Sequence, residues 1–363
     1  MPEDLTYLVG LSTFPKFGTK SLHRLKQTFS CFKEAWSADL ASLRRTGLEE
    51  KILNEFVAAR AQINPEHEWE KLQKLNIKIL TTADPAYPAL LKEIYDPPLL
   101  LYYKGRMEPN SDQFPLAVVG SRRVTIYGRQ AVSEIVAPLA RAGFSIISGL
   151  AIGVDALAHA ATLEAGGRTV AVLGCGLDNI YPAQNHKLAA RIIEQGGAII
   201  SEFPLGAPPY RSNFPIRNRI ISGISIGTLV IEAAIDSGSL ITARSALDQN
   251  REVFALPGSI FSPVSAGPNN LIKMGAKVVT TAQDILEALH LEKSEEYAES
   301  VKILPDSAEE ARLLEVLSRE PQHIDILVKI VNLPSPVICS TLTLMEMKGR
   351  VRNLGGMMYA LTR

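Results

Sequence analysis

A doubly wound α/β domain, preceded by a helical segment and followed by a second small domain, is the fold this sequence predicts. Three observations carry the expectation. From residue 115 to about 290, apolar runs of strand length alternate with amphipathic stretches of helix length. Those runs are continuously apolar, as in parallel strands covered on both faces, rather than alternating as in a half-exposed sheet. Nearly every run ends in glycine or serine, at the strand exits where such sheets bind ligands.

The elements follow in chain order. Residues 1–65 read as short helices in a SAM- or helix-hairpin-helix-like domain. "FGTKSLHRLKQTF" sets Phe17, Leu22, Leu25 and Phe29 on one face, and a break at Gly47 divides the next helical stretch. Such a unit suits DNA backbones or protein contact. Residues 66–113 read as a connector, because Pro85, Pro88, Pro97 and Pro98 exclude a long helix. Residues 114–290 hold strand-length runs in "PLAVVGS", "FSIISG", "TVAVLGCG", "AIISEF", "IGTLVIEAA", "EVFALPG" and "AKVVTT". With helices such as "GRQAVSEIVAPLARAG" between most of them, they form a Rossmann-like, mostly parallel sheet. Residues 291–306 are charged and poor in core residues, as a linker is. Residues 307–363 give three short helices and a hairpin turning at Gly355-Gly356, the order of a winged helix. Its third helix ends in a single basic residue, Lys348, so duplex DNA and protein are both open as its partner. Arg350 and Arg352 of the wing are placed to touch phosphates.

Composition narrows the function classes. The 363 residues are 46% hydrophobic and 21% charged, with 38 Lys+Arg against 38 Asp+Glu. A soluble globular chain fits these numbers, and any nucleic-acid contact must come from a local concentration of arginine. The cysteines Cys31, Cys175 and Cys339 are far apart, without metal-ligand spacing. No apolar run reaches the ~18 residues that span a membrane. The sequence therefore predicts a cytoplasmic protein with no membrane contact and no metal. After Gly120 the next glycine is Gly128, so the GxGxxG dinucleotide fingerprint is missing and no cofactor is expected.

Chemistry concentrates at the strand exits. The first carries Gly120, Ser121, Arg122 and Arg123, where the planar fork of arginine suits two phosphate oxygens; a surface turn with solvated arginines is the other reading. The second carries Ser148 and Gly149, then Asp155 and His159 four residues apart on one helix face. A structural role for that pair is favoured over acid–base catalysis, since no nucleophile lies nearby in sequence. Gly174 and Gly176 close the third run, and Ser237, Gly238, Ser239 and Arg244 follow the fifth. Glycines there are expected to let backbone N–H groups approach an anion. Glu202 and Glu232, ending the fourth and fifth runs, suit either catalysis or the orientation of arginines.

One further stretch, "FPIRNRIISG" at 214–223, reaches the same rim through a proline-rich loop. It reads as a helix with Pro215 in its first turn, Ile216 and Ile220 on the core and Gly223 at its end. A core helix has no need of Arg217, Asn218 and Arg219 together, so these are assigned to phosphate. Phe214 is placed either to stack on an unpaired base or to fold back on the domain.

With "VGSRR", "SGLAIGVDALAH", "GCGLDNIYP", "SEFPLG", "FPIRNRIISG", "EAAIDSGSLITAR", "VFALPGS" and "GPNNLIKMGA" in order over residues 119–276, the chain resembles the DprA/Smf (DNA processing protein A) family. The resemblance implies a protein that binds single-stranded DNA during natural transformation, shields it and helps load the RecA recombinase. It also implies a homodimer formed through the Rossmann-like domain and no enzymatic reaction. Arg122, Arg123, Arg217 and Arg219 inherit a phosphate role from it. Where the family often has "GID", residues 153–155 are "GVD", a volume-conserving change. The competing class is a nucleotide N-glycosidase of the phosphoribohydrolase type. "GISIGTLVIEAA" offers Gly227, Thr228 and Glu232 to it, but the paired glycines of that motif are missing and the glutamate comes one residue late.

Overall fold

The computed structural model describes residues 3–108, 112, 114–291, 307–317, 322–331, 333–348, 350–353 and 355–361. Most of the expected linker at 291–306 therefore lies outside the described residues. The chain divides into two units, at residues 293/294.

The first unit opens with helices α1 (Glu3–Thr13), α2 (Thr19–Thr28), α3 (Phe32–Ser37), α4 (Leu40–Arg44), α5 (Glu50–Ala59) and α6 (Pro65–Lys74). The predicted face of α2 is the one that packs: Phe17, Leu22, Leu25 and Phe29 are all buried. Gly47, at φ +67°, separates α4 from α5 in the left-handed conformation that glycine adopts without a Cβ penalty. Phe14, Phe17 and Phe56 meet with ring centroids 4.7–5.5 Å apart. This aromatic cluster shares one core with the sheet, through Tyr102, Leu173 and Ile199, and Ser12 Oγ lies 2.6 Å from Tyr102 Oη.

The sheet has nine strands: β1 (Lys78–Thr81), β2 (Leu100–Gly105), β3 (Phe114–Val119), β4 (Phe144–Ser148), β5 (Thr169–Val172), β6 (Ala198–Ser201), β7 (Gly227–Val230), β8 (Glu252–Ala255) and β9 (Lys277–Val278). Their order is β1-β2-β6-β5-β4-β3-β7-β8-β9. Strands β3 to β9 are mutually parallel and correspond to the apolar runs predicted from the sequence. Every residue of β3, β4, β5, β6 and β7 is buried, which is why these strands read as unbroken apolar runs.

Two elements correct the expected connector at 66–113. β2 pairs antiparallel with β6, and β1 pairs antiparallel with β2, so this segment extends the sheet. The prolines exclude a long helix as expected, but they sit around the short α7 (Ala89–Lys92) and leave both strands free to pair.

Chain order fixes where a ligand can bind. From β3 the chain winds outward through β4, β5 and β6, then crosses back to place β7 on the other side of β3. The exits of β3 and β7 thus flank the switch point, outside which open α/β sheets hold their ligands. Helices α8 (Ile126–Arg141), α9 (Val154–Glu164), α10 (His186–Glu194), α11 (Asn213–Ile224), α12 (Ser239–Asp248), α13 (Ala266–Lys273) and α14 (Ala282–Ala288) complete the unit.

The second unit contains α15 (Ala308–Val316), α16 (Ile324–Val331) and α17 (Ser335–Met347) around Leu313, Leu327, Ile338 and Leu342. A small sheet pairs Gln322–His323 and Val351–Asn353 with Met358–Leu361, giving the winged helix expected. Arg350 departs from expectation. It and Lys348 (3.2 Å) turn to Glu310, which is 2% exposed, so the charge assigned to phosphate serves the domain's own core. Arg352 stays exposed on the wing.

Candidate nucleic-acid interface

The exit of β3 is a tight turn held from below. Thr125 caps α8 by accepting from Gly128 N–H at 3.1 Å. Its own N–H donates to Glu232 Oε2 at 2.9 Å and its hydroxyl to Glu232 Oε1. Both oxygens of Glu232, which is 1% exposed, are therefore used to fix this loop. Within the turn Arg123 N–H donates to Ser121 Oγ at 3.0 Å, and the side chains of Arg122 and Arg123 are exposed. The exit of β4 lies directly against it. Val154 N–H donates to Ser121 O at 3.1 Å, and a Cβ on Gly153, at φ +87°, would stand 2.3 Å from that same oxygen.

Beneath these loops lies a buried polar network. Arg217, expected on the surface, is 4% exposed. Its guanidinium donates to Gly149 O at 2.9 Å and to Val172 O, and its Nε donates to Asn218 Oδ1 at 3.2 Å. Gly149 is required for this fit, since a Cβ there would come within 2.6 Å of the guanidinium. Burial lowers the pKa of Arg217 to about 10, so it stays a cation at neutral pH. Asp155 accepts from Gly149 N–H (3.1 Å) and Ala151 N–H (3.3 Å); burial pushes its carboxyl up, against the pull of Arg217. His159, fully buried, shares a 2.6 Å hydrogen bond with Thr169 Oγ1 rather than with Asp155. The structural reading of that pair fits these contacts.

Burial, helped by the Arg217 charge, lowers the pKa of His159 to about 3. The unfolded chain then binds a proton near 6.5 that the folded chain refuses, so stability falls as pH drops from 6.5 towards 3. His159→Gln is expected to flatten the part of the urea-midpoint decline that falls in this window. An unchanged slope would show that His159 does not titrate in the way its burial dictates.

Phe214, the second residue of α11, is half-buried with three neighbours around its ring. The Arg122 guanidinium carbon lies 5.5 Å from the centroid and that of Arg217 5.9 Å. The Tyr181 ring is 5.8 Å away, tilted by 35°, and remains 42% exposed. Tyr181 was not singled out in the sequence although it stands within "GCGLDNIYP". The available signal was an aromatic beside proline at a strand exit, the same context as Phe214. Gly174 backs the Phe214 ring, and its carbonyl accepts from Asn213 Nδ2 at 3.1 Å.

The remaining predicted residues separate into rim and support. Ser148 donates to Val118 O at 2.6 Å and is wholly buried, and Gly176 is packed against Pro204 O and Asp178. Gly120 abuts Val154, so Gly120, Gly149, Gly174 and Gly176 make room for neighbouring protein groups rather than for a ligand, whereas Gly238 faces open space. Asn218 Nδ2 donates to Gly238 O at 3.1 Å, tying α11 to the β7 exit, where Ser237 and Ser239 hydroxyls lie 2.8 Å apart. Arg244 is exposed on α12. Arg219 is turned elsewhere: it bonds Asp96 O at 2.7 Å, Thr19 Oγ1 at 3.3 Å and the Glu202 carboxylate. Residues two apart on a helix point about 200° apart, so Arg217 and Arg219 cannot share a face. Ile216 is also corrected, being 46% exposed where a core position was expected. Gly223, expected to end α11, sits inside it against Leu91, and the helix runs to Ile224.

Exposed arginines beside a half-buried aromatic pair, at the switch point of a doubly wound sheet, define a Rossmann-like protein suited to phosphate and flat rings together. The profile of the DNA recombination-mediator protein A family matches residues 78–290, and that of the DprA winged helix domain residues 298–357. The chain is 41% identical over 325 residues to Protein Smf of Escherichia coli, covering 88% of this chain and 86% of that one. It is 40% identical over 272 residues to DNA processing protein DprA of Bacillus subtilis, 73% of this chain and 91% of that one. Among solved structures, DNA processing protein A of Streptococcus pneumoniae superposes with TM-score 0.67 at 36% identity, covering 78% of this chain and 97% of that chain. The protein of the same name from Helicobacter pylori, described for its unique single-stranded DNA binding mode, superposes with TM-score 0.53 at 30% identity, over 59% and 96%. The chain belongs to the DNA recombination-mediator protein A family.

Proposed function

We propose that this chain binds single-stranded DNA across the switch-point rim and passes the strand to a RecA-type recombinase during transformation. The observation that carries the reading is the Phe214 ring with Tyr181 and Arg122 about it, at the loop where Arg122 and Arg123 are exposed. An unpaired base has a free face to stack on such rings, whereas bases in a duplex do not, and the arginines supply backbone charge on a neutral protein. The relative from Helicobacter pylori, described for single-stranded DNA binding, supports the same choice. The homodimer implied by the family has an edge to use, because β9 ends the sheet with Val278 and the nearby Met274 exposed. No catalytic reaction is assigned. The glycosidase reading needs Glu232 as a reacting group, and that carboxylate is buried with both oxygens bonded to Thr125.

The test is a titration of labelled oligo-dT and of a duplex of equal length at several salt concentrations. The single strand is expected to bind tighter, with affinity falling steeply as salt rises. Phe214→Ala should cost about 1–3 kcal/mol, one stacked base, without changing the salt slope. Equal affinity for both DNAs, unmoved by Phe214→Ala, would overturn the assignment.

A further inference from the structure

The loop after β8 displays two large apolar side chains that the Phe214 site does not use. Ile260 is 85% exposed and Phe261 89%. They do not dangle. Ser262 N–H donates to Ser259 O at 3.0 Å and Phe261 N–H to Ser259 Oγ at 3.2 Å, closing a tight turn with both side chains at its tip. The base of the turn is clamped by Asn269, which exchanges two hydrogen bonds with Gly258, at 3.2 and 3.0 Å. A rigid turn that holds an aromatic almost wholly in water forgoes the gain of burying it, so its partner is to be sought outside the chain.

That turn is continuous with the rim. Tyr127, in the first turn of the helix that follows the Arg122-Arg123 loop, donates its hydroxyl to Pro257 O at 2.6 Å. On the other side, Ala233 of the β7 exit donates to Val264 O at 2.7 Å and accepts from Gly267 N–H at 2.9 Å. The exits of β3, β7 and β8 therefore form one ledge. Residues 253–272 contain no charged side chain, so nothing on this stretch repels a polyanion, and Ser259 and Ser262 add hydroxyls. The β8 exit lies four strands from that of β5, which Phe214 overlies, or about 19 Å at the usual strand spacing.

The geometry points to Phe261 as a second base-stacking platform, with Ile260 beside it, engaging unpaired bases of a strand already anchored at Phe214 and Arg122. This rests on the single-strand reading proposed for the rim and extends it to the far end of that rim. A second copy of the chain is the rival occupant. It has the β9 edge available, and a turn tip of two side chains is far less than the ~800 Å² per partner of a standard interface.

The experiment is a ladder of oligo-dT from the trinucleotide to about 20 nucleotides, titrated against the full-length chain and its variants, which brackets the usual range of single-strand site sizes. Phe261→Ser is expected to leave the shortest oligomers unaffected and to weaken the longest by about tenfold, the fold-change one stacked base supplies. Phe214→Ala should weaken every length. In Phe261→Trp, the indole emission should be quenched only by oligomers long enough to reach the turn. The inference is overturned if Phe261→Ser binds all lengths like the parent, or if it changes the oligomeric state in sedimentation while the length dependence stays. If the parent fails to prefer single strands, or Phe214→Ala changes nothing, the rim reading itself falls and this one with it.

Discussion

Arg217→Met is expected to lower unfolding free energy by about 3–5 kcal/mol, whereas Arg122→Ala leaves stability within about 0.5 kcal/mol and weakens DNA binding instead. The two arginines approach the same Phe214 ring, at 5.5 and 5.9 Å, yet their surroundings differ in kind. Arg217 is buried, with its donors on Gly149 O and Val172 O and its charge offsetting that of buried Asp155. Removing it leaves carbonyls without donors and a carboxylate without a counter-charge, the costliest way to break a buried pair. Arg122 is exposed, so its loss costs the fold little and removes one proposed phosphate contact, which is expected to reduce the salt slope by about one. Urea unfolding and salt-dependent titration of the two variants separate these roles. Asp155→Asn in the Arg217→Met background should recover part of the stability, because the stranded charge is then gone. Should Arg217→Met prove as stable as the parent, the guanidinium is not the support that its burial indicates.

That contrast also shows where the sequence was legible. Strands β3 to β7 announced themselves because parallel strands buried on both faces leave uninterrupted apolar runs, and β8 and β9 continued the alternation although β9 is partly exposed. β1 and β2 did not, since two antiparallel strands at one end of the sheet, set among prolines, carry the same local composition as a connector. The glycines, serines and arginines at the strand exits located the rim, and topology then singled out the β3 and β7 exits by placing them at the switch point. Orientation within the rim was not legible. Hydrophobicity assigns Ile216 to the core and Arg217 to water, and the structure reverses both, because one face of α11 covers carbonyls at the β4 and β5 ends that need donors. Only the fold brings Gly149, Val172 and Arg217 together, and no spacing along the chain encodes that meeting. The partner of Phe214 was missed for the same reason, since Tyr181 lies 33 residues earlier and reaches it through tertiary structure alone.

Arg219→Ala should destabilise the first unit by about 3 kcal/mol at pH 8 and by clearly less at pH 5. Arg219 reaches from α11 into a pocket shared by three segments: Thr19 of α2, Asp96 ahead of β2, and Glu202 at the end of β6. The Glu202 side chain is 8% exposed, and its other oxygen has no hydrogen-bond partner among the described residues. Burial pushes that carboxyl up, and the Arg219 charge is the main force holding it down. Without Arg219 the folded chain holds a proton on Glu202 that the unfolded chain releases near 4.5, so the folded state binds more protons above that pH. Stability then falls as pH rises through the elevated folded pKa, and acidification restores it. His159 titrates in both proteins, so it cancels in the difference between variant and parent. In a Glu202→Gln background, Arg219→Ala should cost less and should cost the same at both pH values. If the deficit is equal at pH 5 and pH 8, Glu202 is not the charge that Arg219 neutralises. If it follows the stated slope, Arg219 is an anchor between the N-terminal helices and the helix that carries Phe214. The N-terminal helices would then help set the position of the ring proposed to stack on bases.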